Sequence, residues 1–248
     1  MRPKDHWSKV YNRDNDYEFS FKDYGVVMRV RAKNRTICSG VLISQNLVIT
    51  SFYCVLDTKA KYSVAPMYCN RRQCEEVPVL TPIYVDETVY SCGEIVMLLL
   101  ARPGKDFQYF AKLPRYVYSG DLARYYTDCN IIYLEKEGPE IFQVVQVRDK
   151  IVTKQMFCDA NSAETQCEFA DCSHGSSMFT FTLNAEPEQC IEMRGSPLMC
   201  VDNGELLFVG LDTKGCNENR ATSIMAFYRI DYVIHWIHKA ATNFINLG

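Results

Sequence analysis

The sequence predicts an all-β protein: two antiparallel β-barrels followed by a single C-terminal helix. Three observations carry that reading. Short apolar runs rich in β-branched and aromatic residues alternate with polar ones in both halves of the chain, and turn residues punctuate them at short intervals, the pattern of barrels and sandwiches. A helical period occurs once, where Ile230, Val233, Ile234, Ile237 and Ala241 recur over about residues 230–244. Twelve cysteines in 248 residues point to a scaffold stapled by disulfides.

Taken in order, residues 1–22 are polar and charged with no apolar period, and are read as an irregular extension. Strand patterning starts at Gly25 with Val26-Val27-Met28-Arg29-Val30-Arg31, then Val41-Leu42-Ile43 and Leu47-Val48-Ile49-Thr50. Val96 to Leu100 is too short to span a bilayer, which needs about 20 apolar residues, and reads as a buried strand. These runs assign a first barrel to about residues 23–112. A connection over about 112–128 leads to a second barrel over about 129–229. Its strand signals are Asn130-Ile131-Ile132-Tyr133-Leu134, Phe142 to Val147, Met178 to Thr182, and Leu206 to Gly210.

Composition excludes several function classes. A net charge of −3 without a basic run argues against nucleic acid or an anionic membrane as partner. Apolar residues at 48% supply a full core, so disorder is excluded. A chain of this length buries roughly three-quarters of its unfolded surface. The cysteines argue for an oxidising compartment. Cys69 and Cys74, like Cys167 and Cys172, are spaced C-x4-C, which suits tight disulfide loops better than a zinc ribbon's C-x2-C pairs. We therefore expect a secreted protein in its mature form, with no metal and no cofactor.

Cys190-Ile191-Glu192-Met193-Arg194-Gly195-Ser196-Pro197-Leu198-Met199-Cys200 resembles the nucleophile loop of the trypsin/chymotrypsin-like serine proteases, C-x-G-D-S-G-G-P-L-x-C. Four further segments are similar to that family in order. Ile37 to Cys54, with Cys38 and Cys54 placed 16 apart, resembles the segment around the catalytic histidine. Gly93-Glu94-Ile95-Val96-Met97-Leu98-Leu99-Leu100 resembles the segment of the triad aspartate. Pro114 and Cys129 stand where the inter-barrel connection and its cysteine belong, and Phe227 to Ile237 resembles the lead into the terminal helix. The resemblance covers about 200 residues. It implies two six-stranded antiparallel β-barrels of the trypsin-like type with a C-terminal α-helix, forming one domain over residues 23–248. It also implies disulfides Cys38–Cys54, Cys129–Cys200 and Cys190–Cys216. Cys158 is expected to bond Cys167 or Cys172, and Cys69, Cys74 and Cys92 stay unassigned.

The same resemblance implies that catalysis is lost. Acyl transfer on this scaffold needs a nucleophile, a base to take its proton and a carboxylate to orient the base. Those positions hold Arg194, Tyr53 and Glu94. A guanidinium has no electron pair to offer a carbonyl. A phenol, titrating near pH ~10, is a poor base at neutrality. Glu192 replaces the oxyanion-hole glycine, Met193 replaces the aspartate that captures a new N-terminus, and Met225 replaces a glycine of the specificity pocket. Glu188 falls at that pocket's base. Arg194 is expected to approach Glu94, with Tyr53 packed by them. The alternative is a rewired hydrolase using Ser196. Against it, no histidine is placed to activate that hydroxyl: His6 lies in the extension, His174 in a cysteine-rich loop, and His235 and His238 on the terminal helix.

What the resemblance implies for function is a secreted, insect-like serine protease homologue that acts by binding. It would be a cofactor, scaffold or decoy in an extracellular cascade, immune or reproductive. The expected partner is a protein, either an active protease or its substrate. Candidate surfaces are residues 69–74, residues 158–172 and the tyrosine-rich stretch 115–126, since tyrosine and arginine are favoured in binding hot spots. Asn34-Arg35-Thr36 is an N-glycosylation sequon that fits secretion.

Overall fold

A computed structural model describes residues 25–33, 35–67, 75–85, 94–117, 126–135, 141–147, 152–153, 178–183, 194–213 and 223–245. The first six strands are β1 (Val27–Ala32), β2 (Arg35–Ser44), β3 (Leu47–Ser51), β4 (Tyr62–Pro66), β5 (Val77–Tyr84) and β6 (Ile95–Leu100). They close into an antiparallel barrel in the order β1-β2-β3-β6-β5-β4. Tight turns set the register: Ala32 pairs with Arg35 across a two-residue loop, and Ser44 pairs with Leu47 across another.

Strand β6 explains why an uninterrupted apolar run need not be helical. All six of its residues are buried, because its two faces meet two different cores. Val96, Leu98 and Leu100 fill the barrel with Met28, Leu42 and Val64. Ile95, Met97 and Leu99 point outward and pack against Ile132, Phe208 and Tyr228 of the second half and Val233 and Ile237 of the helical end. A strand between two apolar layers loses the polar alternation of a half-exposed one.

The second half comprises β7 (Thr127–Glu135), β8 (Ile141–Gln146), β9 (Val152–Thr153), β10 (Met178–Leu183), β11 (Pro197–Asp202), β12 (Glu205–Asp212) and β13 (Ser223–Arg229). They form a seven-stranded sheet, β8-β7-β11-β12-β13-β10-β9. Here the expectation of a second six-stranded barrel is met only in part, since the sheet does not close among the described residues. Its strand order nevertheless repeats the first. Read from β2, the barrel runs β2-β1-β4-β5-β6-β3; leaving aside the two-residue β9 at its edge, the second sheet runs β8-β7-β11-β12-β13-β10, the same permutation. The β11–β12 hairpin turns on Asn203-Gly204, with φ of 50° and 77°, the left-handed pair that a two-residue turn of this twist requires.

The helical end is tighter at its start than periodicity alone suggests. Asp231–Val233 forms a 3-10 turn and the helix α1 follows over Ile234–Ile245. The cause is local: Arg229 grips the Asp231 carboxylate through Nε (2.9 Å) and Nη2 (2.5 Å), and both residues are buried. Ile230, Val233, Ile234 and Ile237 are buried as expected, with Ala240 rather than Ala241 completing the buried stripe.

Among the described residues, no helix is long and apolar enough to cross a membrane. Disulfides Cys38–Cys54 and Cys129–Cys200 are formed. Cys190, Cys216, Cys69, Cys74, Cys92, Cys158, Cys167 and Cys172 lie outside the described residues, as do the extension 1–22 and the loops 69–74 and 158–172.

Candidate functional site at the junction of barrel and second sheet

The site is built where β3 ends. The Ser51 hydroxyl accepts from the Tyr53 N–H at 3.2 Å and so caps the 3-10 turn Phe52–Cys54. The same hydroxyl donates to the Thr213 carbonyl at 2.7 Å, across 162 residues of chain. Cys54 is tied to Cys38 of β2. Tyr53 is thereby fixed from both sides, half-buried, with its ring edge-on to Phe52 at 5.8 Å.

Glu94 meets this turn from the start of β6. Its carbonyl accepts from the Phe52 N–H at 2.8 Å. Its side chain is buried, and Oε2 accepts from the Thr213 hydroxyl at 2.5 Å. Thr213 is fully buried at the end of β12 and is therefore the clasp, bonded to Ser51 by its carbonyl and to Glu94 by its hydroxyl. Neither Thr213 nor Ser51 was singled out from sequence. The available signal was polar Asp212-Thr213 ending the apolar run of β12.

Arg194 enters on the turn before β11. Its carbonyl accepts from Ser39 N–H of β2 at 3.0 Å, while Gly195 N–H donates to the Asp212 carbonyl at 2.8 Å. Gly195 has φ of +76°, and a Cβ there would collide with the Ser39 carbonyl oxygen. Only glycine allows the turn to lie this close to β2. The Thr50 hydroxyl holds that same Ser39 oxygen at 2.7 Å.

The half-buried Arg194 side chain then joins Tyr53 and the Cys38–Cys54 disulfide in the wall of a cavity of about 440 Å³. Lys33, Arg35, Ile37, Leu56, Asp57 and Tyr62 complete most of the lining. Burial pushes the Tyr62 phenol above its usual range, keeping it a neutral donor to the Asp57 carbonyl at 2.9 Å.

Tyr53, Glu94 and Arg194, which are far apart in sequence, thus converge on one junction. Ser196 is placed differently. It is fully exposed to nothing but protein, at 0% accessibility, and its hydroxyl has no hydrogen-bond partner. His235 and His238 are exposed on α1. Among the described residues no group of three or more His, Cys, Asp or Glu is arranged to hold a metal.

Glu188, Glu192, Asn34, His6 and His174 lie outside the described residues. Met225 lies in β13, where its backbone pairs with Phe181. In the tyrosine-rich stretch, Tyr116 is 69% exposed but Tyr126 is buried at 4%, so Tyr126 is removed from the candidate surface by its place in the core.

The arrangement can present a cation and a phenol to a ligand in a pocket. Ser196, the hydroxyl of the cysteine-flanked motif, is neither accessible nor hydrogen-bonded to a base. The chain matches no model of a known protein family, and no curated protein matches it.

Proposed function

We propose that this chain is a secreted, catalytically inactive homologue of the trypsin-like serine proteases that acts by binding another protein. One observation carries the reading. Arg194, at the position of the nucleophile, lines an open cavity beside Tyr53, while Ser196, the one hydroxyl of the same motif, is sealed in the interior. A serine without access cannot meet a substrate, and one without a hydrogen-bonded base cannot be activated.

The supporting facts are architectural. One closed six-stranded barrel is followed by a sheet of the same strand permutation, and a disulfide joins each of two cysteine pairs that the resemblance implies. In this reading the second sheet belongs to a second barrel like the first. Arg194 and Glu94 form the ion pair that replaces the triad, and Asn34 carries an N-linked glycan. The partner is an active protease or its substrate, engaged through loops on the rigid scaffold.

The test is covalent labelling. Purified protein is treated with a serine-directed fluorophosphonate, alongside an active protease of the same size. The proposal expects no label on this chain at any time point. Stoichiometric label that disappears in Ser196→Ala would establish the rewired hydrolase instead.

A further inference from the structure

The tip of the β11–β12 hairpin joins two residues that chemistry makes reactive together. Asn203 is followed by Gly204, the one Asn-Gly pair in the sequence, and both residues are exposed. Asparagine is a chemically labile residue. Its side-chain amide can close on the next main-chain nitrogen, and glycine puts no Cβ in the way of that closure.

The surroundings leave this chemistry open. Asp202 pairs with Glu205 as the last rung of the ladder, so residues 203 and 204 stand beyond it and can join without breaking a rung. A Cβ placed on Gly204 would meet nothing within 4 Å. The Asn203 amide nitrogen donates to Asp202 Oδ1 at 2.9 Å in an exposed bond, a weak tether in water. Other described asparagines differ. Asn130 is 1% exposed and precedes buried Ile131, Asn46 precedes buried Leu47, and Asn243 lies within α1, whose backbone is held by its own hydrogen bonds.

Conformation sets the pace. Asn203 and Gly204 hold φ of 50° and 77°, the turn that keeps the two strands in register. Ring closure must swing the Gly204 nitrogen onto Asn203 Cγ, out of that turn. It therefore waits on transient opening of the tip, and a hairpin end without packed neighbours is among the cheapest parts of a fold to open.

We propose that Asn203 is a self-modifying site, where the folded chain converts its own asparagine to aspartate and isoaspartate with water as the co-reactant. The Gly204 nitrogen bonds to Asn203 Cγ and gives up its proton. The Cγ–Nδ2 bond breaks, and Nδ2 leaves with that proton as ammonia. Water then opens the cyclic imide at either carbonyl. One opening gives aspartate. The other gives isoaspartate, whose main chain runs through the former side chain and is longer by a methylene. Nothing is oxidised or reduced, and the net charge goes from −3 to −4 as a neutral amide becomes a carboxylate.

A methylene added inside a two-residue turn unseats the Asp202–Glu205 rung, and the new carboxylate joins two others at the tip, where like charges repel. The change stays local, because Cys200 of β11 is bonded to Cys129. It does not depend on the binding role proposed above.

The test incubates the full chain, disulfides intact, at mildly alkaline pH in buffer and in parallel in urea. Isoelectric focusing follows the acidic form, and tandem mass spectrometry of digests locates it and separates aspartate from isoaspartate. The folded chain is expected to accumulate a form more acidic by one charge, carrying isoaspartate at position 203, more slowly than the chain in urea. Asn46, Asn130 and Asn243 should stay intact over the same period. Asn203→Gly, which suits the same turn, should lose this form and keep the urea midpoint. Amide hydrogens at 202–205 should exchange faster in the aged protein, with β3 and β6 unchanged. Reaction at Asn203 in urea but not in the folded chain, modification of Asn46, Asn130 or Asn243 at an equal rate, absence of isoaspartate, persistence of the acidic form in Asn203→Gly, or unchanged exchange at the tip would each overturn the assignment.

Discussion

Replacing Ser196 with alanine separates two accounts of this chain by the sign of a stability change. Ser196 is fully buried, and its hydroxyl meets no hydrogen-bond partner. Its backbone is satisfied independently, the carbonyl accepting from the Asp212 N–H at 2.9 Å. Ser196→Ala therefore breaks no hydrogen bond and removes an oxygen that left water without compensation. Burial of an unpaired hydroxyl costs about 1–3 kcal/mol. Allowing for partial compensation by packing, the variant should gain about 1 kcal/mol, a rise of about 2–4 °C in Tm for a chain of this size. Calorimetry under non-reducing conditions, with urea unfolding as a second probe, reads this directly. A fall in Tm of 2 °C or more would mean that the hydroxyl has a partner, and the geometry argued for the sealed serine would be wrong. Were Ser196 a working nucleophile, the same substitution would cut turnover by about 10⁶-fold, as loss of the nucleophile does in a serine protease.

Three further outcomes follow from the described structure. Removing Cys129–Cys200, which closes 71 residues, should destabilise by about 4 kcal/mol, against about 3 kcal/mol for Cys38–Cys54, which closes 16; urea midpoints of the paired alanine variants give the ranking, and the reverse order would contradict it. Arg229→Met should cost about 3–5 kcal/mol in urea unfolding, because it leaves the buried Asp231 carboxylate without its guanidinium. The third concerns pH. The Lys105 N–H, then Arg102, hold Glu75 below its ordinary value of 4.5. A depressed carboxylate contributes stability above its unfolded pKa and loses it as pH falls through the folded one. Glu75→Gln should therefore lower the urea midpoint at pH 7, with the difference from wild type shrinking below pH 4.5.

The fold was legible where a strand carries its own signal. The apolar alternation of β1, β3, β7, β8, β10 and β12 and the helical stripe of α1 were read from residues alone. Strand β5 was not, because Pro78 and Pro82 lie within Val77–Tyr84, and proline without an N–H argues against a strand interior. The ladder tolerates them through an irregular register between Val79 and Thr81. Strand β11 was hidden inside the cysteine-flanked motif, where Pro197 occupies its first position as proline can.

In the site, Tyr53, Glu94 and Arg194 were found by motif resemblance, and the folding of β3, β6 and β11 onto one junction brings them together. Thr213 was missed because its meaning is relational: its two bonds cross 162 and 119 residues, and no local pattern encodes such a contact. Lys33 and Arg35 looked like ordinary hairpin residues. That they line one cavity with the Arg194 turn is visible only in the fold.

Steady-state turnover measures the central claim most directly. The purified chain is assayed against a broad panel of peptide and ester substrates, in parallel with Ser196→Ala. The account predicts that both proteins give rates at the uncatalysed background across the panel. Reproducible hydrolysis by the wild type that vanishes in Ser196→Ala would contradict it.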